Sequence, residues 1–262
     1  MADNLSPRIS AVVLTQNVAG LIERCLHALS FCDEIVVVDA ESTDGTDVIA
    51  RDLGARVVTN PWPGFAAQRR VGLEATAGEW VFMCDSDEVA TPELAAEIQS
   101  VIVKDPGGGP VGFYVKRRNR YMGRLMRHGP WANDLQLRLF RRSAGSVTEQ
   151  SVHEGVTVEG ETAVLESPLD HYTHHTIADS VERINRYTSL EAGDRVGRRR
   201  IRIVDPVFPP VGVFLNYYLR QGCWRDGVAG FVLSVTTAIY KSLLYIKIYL
   251  LQRGIEETTE RR

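Results

Sequence analysis

Over the first hundred residues, apolar positions fall in short continuous runs, and segments with helical spacing separate them. Ile9–Thr15, Glu34–Asp39, Ala55–Thr59 and Glu79–Cys84 read as strands, because an unbroken apolar run of this length suits a strand buried on both faces. Leu21, Ile22, Cys25, Leu26 and Leu29 recur at helical intervals, and a helix ending near Leu53 stops at Gly54. Pro61-Trp-Pro-Gly64 breaks the chain before a helix from Phe65 to Ala77, and Thr91-Pro92 supplies an N-cap and a first-turn proline for another. Strands and helices that alternate with short connections predict an α/β fold. Its sheet is mostly parallel and covered by helices on both faces.

The pattern changes after Gly107-Gly-Gly-Pro110. Val111–Arg117 and Leu135–Arg141 alternate apolar and polar residues, as half-exposed strands do, and Val156–Glu166 suggests a hairpin turning at Gly160. Thr176–Ala192 reads as a helix, and Phe208–Leu251 is apolar and aromatic, interrupted by Arg220, Arg225, Lys241 and Lys247. The expected organisation is a catalytic domain over residues 1–170 and a helical C-terminal extension over residues 171–262.

Composition narrows the class. With 44% hydrophobic and 24% charged residues among 262, the chain has the make-up of a globular protein. Its formal charge of −3 gives no reason to expect nucleic-acid binding. The four cysteines form no Cys-x-x-Cys pair, so neither a zinc ribbon nor a thioredoxin-like site is suggested, and a reducing compartment fits best. Met1–Arg8 is polar and lacks the basic-then-apolar order of a signal peptide, so a cytoplasmic location is expected.

Ligands of open α/β sheets bind at the carboxyl ends of the strands. Thr15-Gln-Asn17, Asp39 and Asp85-Ser-Asp87-Glu88 fall at three such ends. Asp85 and Asp87 are two residues apart and so share a side of an extended segment, where two carboxylates repel unless a cation lies between them. A hard divalent ion, Mg²⁺ or Mn²⁺, suits them; an acid-rich helix N-terminus is the other reading. Asp39 suits a hydrogen bond to a nucleobase or ribose, or a turn before the following helix. Arg69 and Arg70 suit a diphosphate, or a solvated helix face.

Four segments, Val13-Leu-Thr-Gln-Asn17, Ile35-Val-Val-Val-Asp-Ala-Glu-Ser-Thr-Asp-Gly-Thr46, Gly64-Phe-Ala-Ala-Gln-Arg69 and Gly78-Glu-Trp-Val-Phe-Met-Cys-Asp-Ser-Asp-Glu88, together resemble family 2 of the inverting glycosyltransferases, which have the GT-A fold. Leu137-Arg-Leu-Phe-Arg-Arg142, Val152-His-Glu154 and the closing Tyr-Leu-Leu-Gln-Arg-Gly254 resemble the branch that contains lipopolysaccharide core β-glucosyltransferases. The resemblance places Thr15, Asn17, Asp39, Gln68, Arg69, Asp85 and Ser86 at the nucleotide sugar and Asp85 and Asp87 at the metal and diphosphate. It also makes Glu154 the catalytic base, with Asp134 as the other candidate. Val18 stands where the branch has an acid, and Gln16 where a lysine is common.

The implied reaction is transfer of a sugar, expected from a UDP-sugar, to a cell-envelope glycolipid or polysaccharide acceptor, with inversion in one in-line displacement. Two alternatives are a polyprenyl-phosphate glycosyltransferase and, more distantly, a nucleotidyltransferase, whose usual Gly-rich, Lys-containing N-terminal loop is missing. A non-catalytic binding module is a third, disfavoured by the intact Asp85 and Asp87. Val228–Leu251 is long and apolar enough for a membrane span. Lys241 and Lys247 oppose that, at about 3 kcal/mol for a charge at the bilayer centre. The lysines, with Tyr240, Tyr245 and Tyr249, suit a helix lying at the inner-membrane surface, with Arg195, Arg198, Arg199, Arg200 and Arg202 meeting anionic lipid. A hairpin packed on the catalytic domain or on a second subunit is the other expectation. Three nearby histidines, His171, His174 and His175, are left without a ligand role.

Overall fold

The computed structural model describes residues 9–104, 107–147, 155–173, 176–198 and 200–255. Each early apolar run is a strand: β1 (Ile9–Thr15), β2 (Glu34–Asp39), β3 (Arg56–Thr59) and β4 (Trp80–Asp85). The connecting helices are α1 (Ala19–Ala28), α2 (Thr46–Asp52) and α3 (Phe65–Ala75). A short β5 (Glu88–Ala90) precedes α4 (Pro92–Val103), whose N-cap Thr91 accepts the Leu94 amide at 3.1 Å. Then come β6 (Gly112–Tyr121), β7 (Arg124–Leu125), β8 (Asp134–Arg141), β9 (Gly145–Val147), β10 (Val156–Val158), β11 (Thr162–Val164) and β12 (Leu169–Thr173). The C-terminal helices are α5 (Ile177–Arg195), α6 (Phe208–Leu215) and α7 (Gly227–Leu251).

The chain forms two compact units, Met1–Asn119 with Asn133–Tyr172, and Arg120–Ala132 with Thr173–Arg262. In the first, the sheet order is β3-β2-β1-β4-β8-β6-β12-β5, with β11 beside β6. The β3-β2-β1-β4 block is parallel; β8 adds antiparallel to β4, and β6 antiparallel to β8. This is the α/β class expected. One face of the block packs Ala11, Val13, Val37 and Phe82 against Ile22, Cys25 and Leu26 of α1 and Leu94 and Ile98 of α4. The other face, with Val12, Val36, Val38 and Val81, meets Val71 and Leu73 of α3. Burial of both faces is why these strands read as continuous apolar runs. Helix α3 lies so close that a Cβ on Gly72 would be 2.4 Å from Val12 Cγ1.

The hairpin expected at 156–166 is not formed. β10 pairs antiparallel with β9, whereas β11 leaves it at Gly160 (φ 137°) and runs parallel to β6. Crossing to β6 packs Ala163 against the main core and buries Leu165 within it, which a local hairpin would not.

In the second unit, a capping box of Thr176 and Asp179 starts α5, which packs on α7. Residues Cys223–Leu251 are long and apolar enough to cross a membrane by length and composition. Yet Lys247 is buried, and its ammonium, with three N–H donors, lies 2.7–2.9 Å from four acceptors of α5: Asn185 O, Asn185 Oδ1, Thr188 Oγ1 and Ser189 Oγ. A buried ammonium with four acceptors on one neighbour pins the two helices in register. The second unit thus packs α7 on α5 within itself.

Candidate active site

Strand register brings the first site residues together. Thr15 pairs with Asp39 between β1 and β2, and Leu14 pairs with Asp85 between β1 and β4. Thr15, Asp39 and Asp85 therefore stand at one carboxyl edge, on three adjacent strands. Asp39 is buried; its Oδ1 accepts Thr15 Oγ1 (2.7 Å) and Ser42 Oγ (2.6 Å), and its Oδ2 accepts Ser42 N (2.8 Å). It thus shapes its own turn. The loops after β1 and β2 are laced together: Asn17 N donates to Ser42 Oγ (2.8 Å), and Thr43 N donates to Asn17 Oδ1 (2.8 Å). Asn17 (φ 52°) and Glu41 (φ 53°) both hold left-handed backbone there, a conformation that non-glycine residues rarely take outside special sites.

Gln68 is fully buried on α3, and its amide exchanges hydrogen bonds with the Asn60 side chain and carbonyl at 2.8 and 2.9 Å. It braces the β3–α3 loop. Arg69, on the next position of the helix, lies 3.9 Å from Asp85. Asp85 is also bound by Arg138 of β8 at 2.6 Å. Burial raises the pKa of Asp85, but the Arg138 and Arg69 charges outweigh it and hold the carboxyl well below the usual range. Ser86 and Asp87 form the turn after β4.

Behind the turn is a charge network that the sequence did not single out. Arg138 also grips the buried Glu88, which Arg117 of β6 approaches at 3.2 Å. Burial and the nearby Asp85 charge push the Glu88 carboxyl up, against the pull of Arg138 and Arg117. Arg117 binds Asp134 through Nη2 (2.6 Å) and Nε (2.9 Å), and Asp134 also accepts from Asn119 Nδ2 (3.0 Å) and Gln136 Nε2 (2.7 Å). Burial raises the Asp134 pKa, but the Arg117 charge and these hydrogen bonds lower it below the ordinary carboxylate range. Both its oxygens are engaged. The other base candidate, Glu154, and its neighbour His153 lie outside the described residues.

His171 of β12 is brought to the same turn. Because Asn119 gives its amide N–H to Asp134, its Oδ1 is left to accept from His171 Nδ1. Its Nε2 faces Asp87 Oδ2 at 3.4 Å. An imidazole nitrogen and a carboxylate oxygen at that separation are suited to sharing a proton or a metal ion. Among the described residues no three His, Cys, Asp or Glu side chains converge as a metal cage. A Mg²⁺ or Mn²⁺ that completes its shell with phosphate oxygens and water needs only one or two such protein ligands. Asp87 and His171 fit that requirement, whereas Asp85 is held by arginines.

Replacing Arg138 with Met leaves Asp85 and Glu88 facing each other without their shared cation. The expected loss is about 3–5 kcal/mol of folding stability, as for one partner removed from a buried ion pair. Urea unfolding measures it, and adding Glu88→Gln should recover much of the loss. An unchanged unfolding midpoint in the single variant would show that Arg138 is not holding the network.

Residues 10–154 match the family model described as glycosyl transferase family 2. The lipopolysaccharide core biosynthesis glycosyltransferase LpsC of Rhizobium meliloti is 32% identical over 256 residues, covering 92% of each chain. An uncharacterized glycosyltransferase of Rickettsia bellii is 28% identical, covering 95% of this chain and 88% of its own. The crystal structure of glucosyl-3-phosphoglycerate synthase from Mycobacterium tuberculosis in complex with Mn²⁺, uridine diphosphate and glucosyl-3-phosphoglycerate aligns with a TM-score of 0.48. Its identity is 19%, and the alignment covers 72% of this chain and 79% of that one. With more than half its length matched by the family model and a relative of 32% identity spanning nearly all of it, the chain is a glycosyltransferase and belongs to glycosyl transferase family 2.

Proposed function

We propose that this glycosyltransferase moves a sugar from a UDP-sugar to a hydroxyl of a cell-envelope glycolipid or polysaccharide, inverting the anomeric centre. The observation that carries the reading is the register that sets Thr15, Asp39 and Asp85 side by side at one strand edge. A carboxylate has about four lone-pair sites, and the three hydrogen bonds at Asp39 leave one on Oδ2 for a base or ribose donor. Asn17 orders the loop beside it, and Arg69, Asp85 and Ser86 border the diphosphate. Asp87 and His171 hold the divalent metal, Mg²⁺ or Mn²⁺, which when bound stabilises the charge growing on the leaving nucleoside diphosphate. Glu154 takes the acceptor proton.

The name of the Rhizobium relative supports a lipopolysaccharide core acceptor. A lipid-linked acceptor places the enzyme at the inner face of the cytoplasmic membrane, as a peripheral protein.

A thermal-shift panel of nucleotide sugars with and without Mn²⁺ tests the reading. A donor at a hundred times its Kd should stabilise the fold by about 2.7 kcal/mol. No metal-dependent shift with any nucleotide sugar would count against the reading. In the same assay Asp39→Ala should weaken donor binding about tenfold or more, the value of one hydrogen bond to a charged group, while slowing the bound complex less. Donor affinity equal to wild type would remove Asp39 from the pocket.

A further inference from the structure

We propose that the second unit carries a pocket for the phosphate head group of an anionic lipid, built from Arg195, Arg198 and Lys241. The proposal rests on the membrane-surface reading above and gives it a site. The three cations line one cavity of about 350 Å³ whose other walls are Ile201, Tyr245 and Ile248. Like charges converging on a cavity repel one another unless an anion enters. Arg195 is balanced by Glu191 at 2.7 Å, and Glu191 also accepts from Tyr240. Arg198 is exposed, and Lys241 lies 4.8 Å above the Tyr245 ring. Exposed Arg200 and Arg202 add positive charge next along the chain.

The segment that carries these arginines is fastened to α7. Gln252 donates to Val196 O and accepts from Ile201 N, both at 2.9 Å, and Ser242 Oγ donates to Pro206 O at 2.7 Å. The last bond sets the 203–208 turn beside the residue that follows Lys241. That turn presents Ile203 (72% exposed), Val204, Val207 and Phe208 (70% exposed) to solvent. Four large apolar side chains within six residues, next to a basic pocket, have the make-up of a surface that dips into a bilayer. The cations meet the head-group phosphates while the turn enters the apolar layer. The apolar turn and the Ile201 and Ile248 walls select a lipid phosphate over a free one. The buried, α5-bound Lys247 keeps α7 a packed helix, so attachment is at one leaflet.

Co-sedimentation of the full chain with phosphatidylcholine vesicles, with and without phosphatidylglycerol, tests this. Binding is expected only with phosphatidylglycerol. One basic residue near such a surface contributes about fivefold, so Arg198→Ala with Lys241→Ala should weaken binding about twenty-five-fold. Phe208→Ser should weaken it while leaving its salt dependence intact. These side chains are outside the donor site, so stabilisation by UDP-glucose and Mn²⁺ should match wild type in every variant, which also confirms folding. Equal vesicle binding by the double variant, or no binding by wild type, overturns the proposal. So does an inorganic-phosphate thermal shift that needs Arg198 and Lys241 while vesicles fail to bind, since the pocket would then serve a soluble phosphate. Loss of the nucleotide-sugar response in wild type would instead overturn the functional reading and leave the vesicle result standing.

Discussion

Asp87→Asn should lower sugar transfer about a hundredfold or more and weaken Mn²⁺ binding in the presence of UDP, with little change in folding stability. Lewis-acid stabilisation of the leaving group is on the order of several kcal/mol, and each 1.36 kcal/mol is about tenfold in rate. Among the described residues no arginine is paired with Asp87, whose Oδ2 lies 3.4 Å from His171 Nε2. Asp85 differs: Arg138 and Arg69 flank it, so Asp85→Asn should disturb the fold and the diphosphate edge before it disturbs the ion. His171→Gln should reduce Mn²⁺ affinity as well. Asn119→Leu should do so by a smaller factor, about ten- to a hundredfold, because it frees the imidazole from its fixed tautomer. Electron paramagnetic resonance of Mn²⁺ titrated into the protein with UDP separates these effects. If Asp87→Asn retains wild-type Mn²⁺ affinity, the ion is held elsewhere.

The parallel half of the fold was legible because its inner strands β1, β2 and β4 are largely buried on both faces and several of its helices carry a stop or cap signal. Gly54 and Thr91-Pro92 mark such boundaries, and both stand where the sequence put them. The strand-end rule then brought Thr15, Asp39 and Asp85 to one edge without knowledge of the register. The antiparallel half was less legible, since its pairings join residues far apart in sequence. Arg138 lies within the Leu137–Arg142 segment that marks the family branch, yet nothing local says that it meets Asp85 and Glu88, 53 and 50 positions earlier. Glu88 read as the tail of an acidic cluster and is instead a buried partner of two arginines. His171 looked like one of three neighbouring histidines; the antiparallel pairing of β12 with β5, His171 opposite Glu88, brings it to the Asp87 turn. Gln68 lies in the helix expected to face the donor, but its amide holds the loop leading into that helix. The hairpin at 156–166 failed for the same reason as the network: alternation identifies strands but not their partners.

Glu154→Gln should lower transfer about 10²–10⁴-fold while donor and metal affinity stay near wild type, because glutamine keeps the size and hydrogen bonding of the side chain but cannot take the acceptor proton. Asp134→Asn is the comparison, and the geometry makes it a weak rival. Its carboxylate is gripped twice by Arg117 and receives two more hydrogen bonds, which favour the charged form and so oppose proton uptake. What Asp134 does is orient Asn119, and through it His171, so Asp134→Asn should act mainly on metal affinity. If Asp134→Asn abolishes transfer at saturating Mn²⁺ and Glu154→Gln does not, the two assignments exchange. A pH–rate profile under conditions where chemistry limits the rate sharpens the test. Wild type should lose activity on the acidic side as the base becomes protonated, and Glu154→Gln should lose that dependence. Should neither variant slow transfer to a hydroxyl acceptor, the base lies elsewhere in the chain; an acceptor that is itself a phosphate, such as a polyprenyl phosphate, requires no strong base.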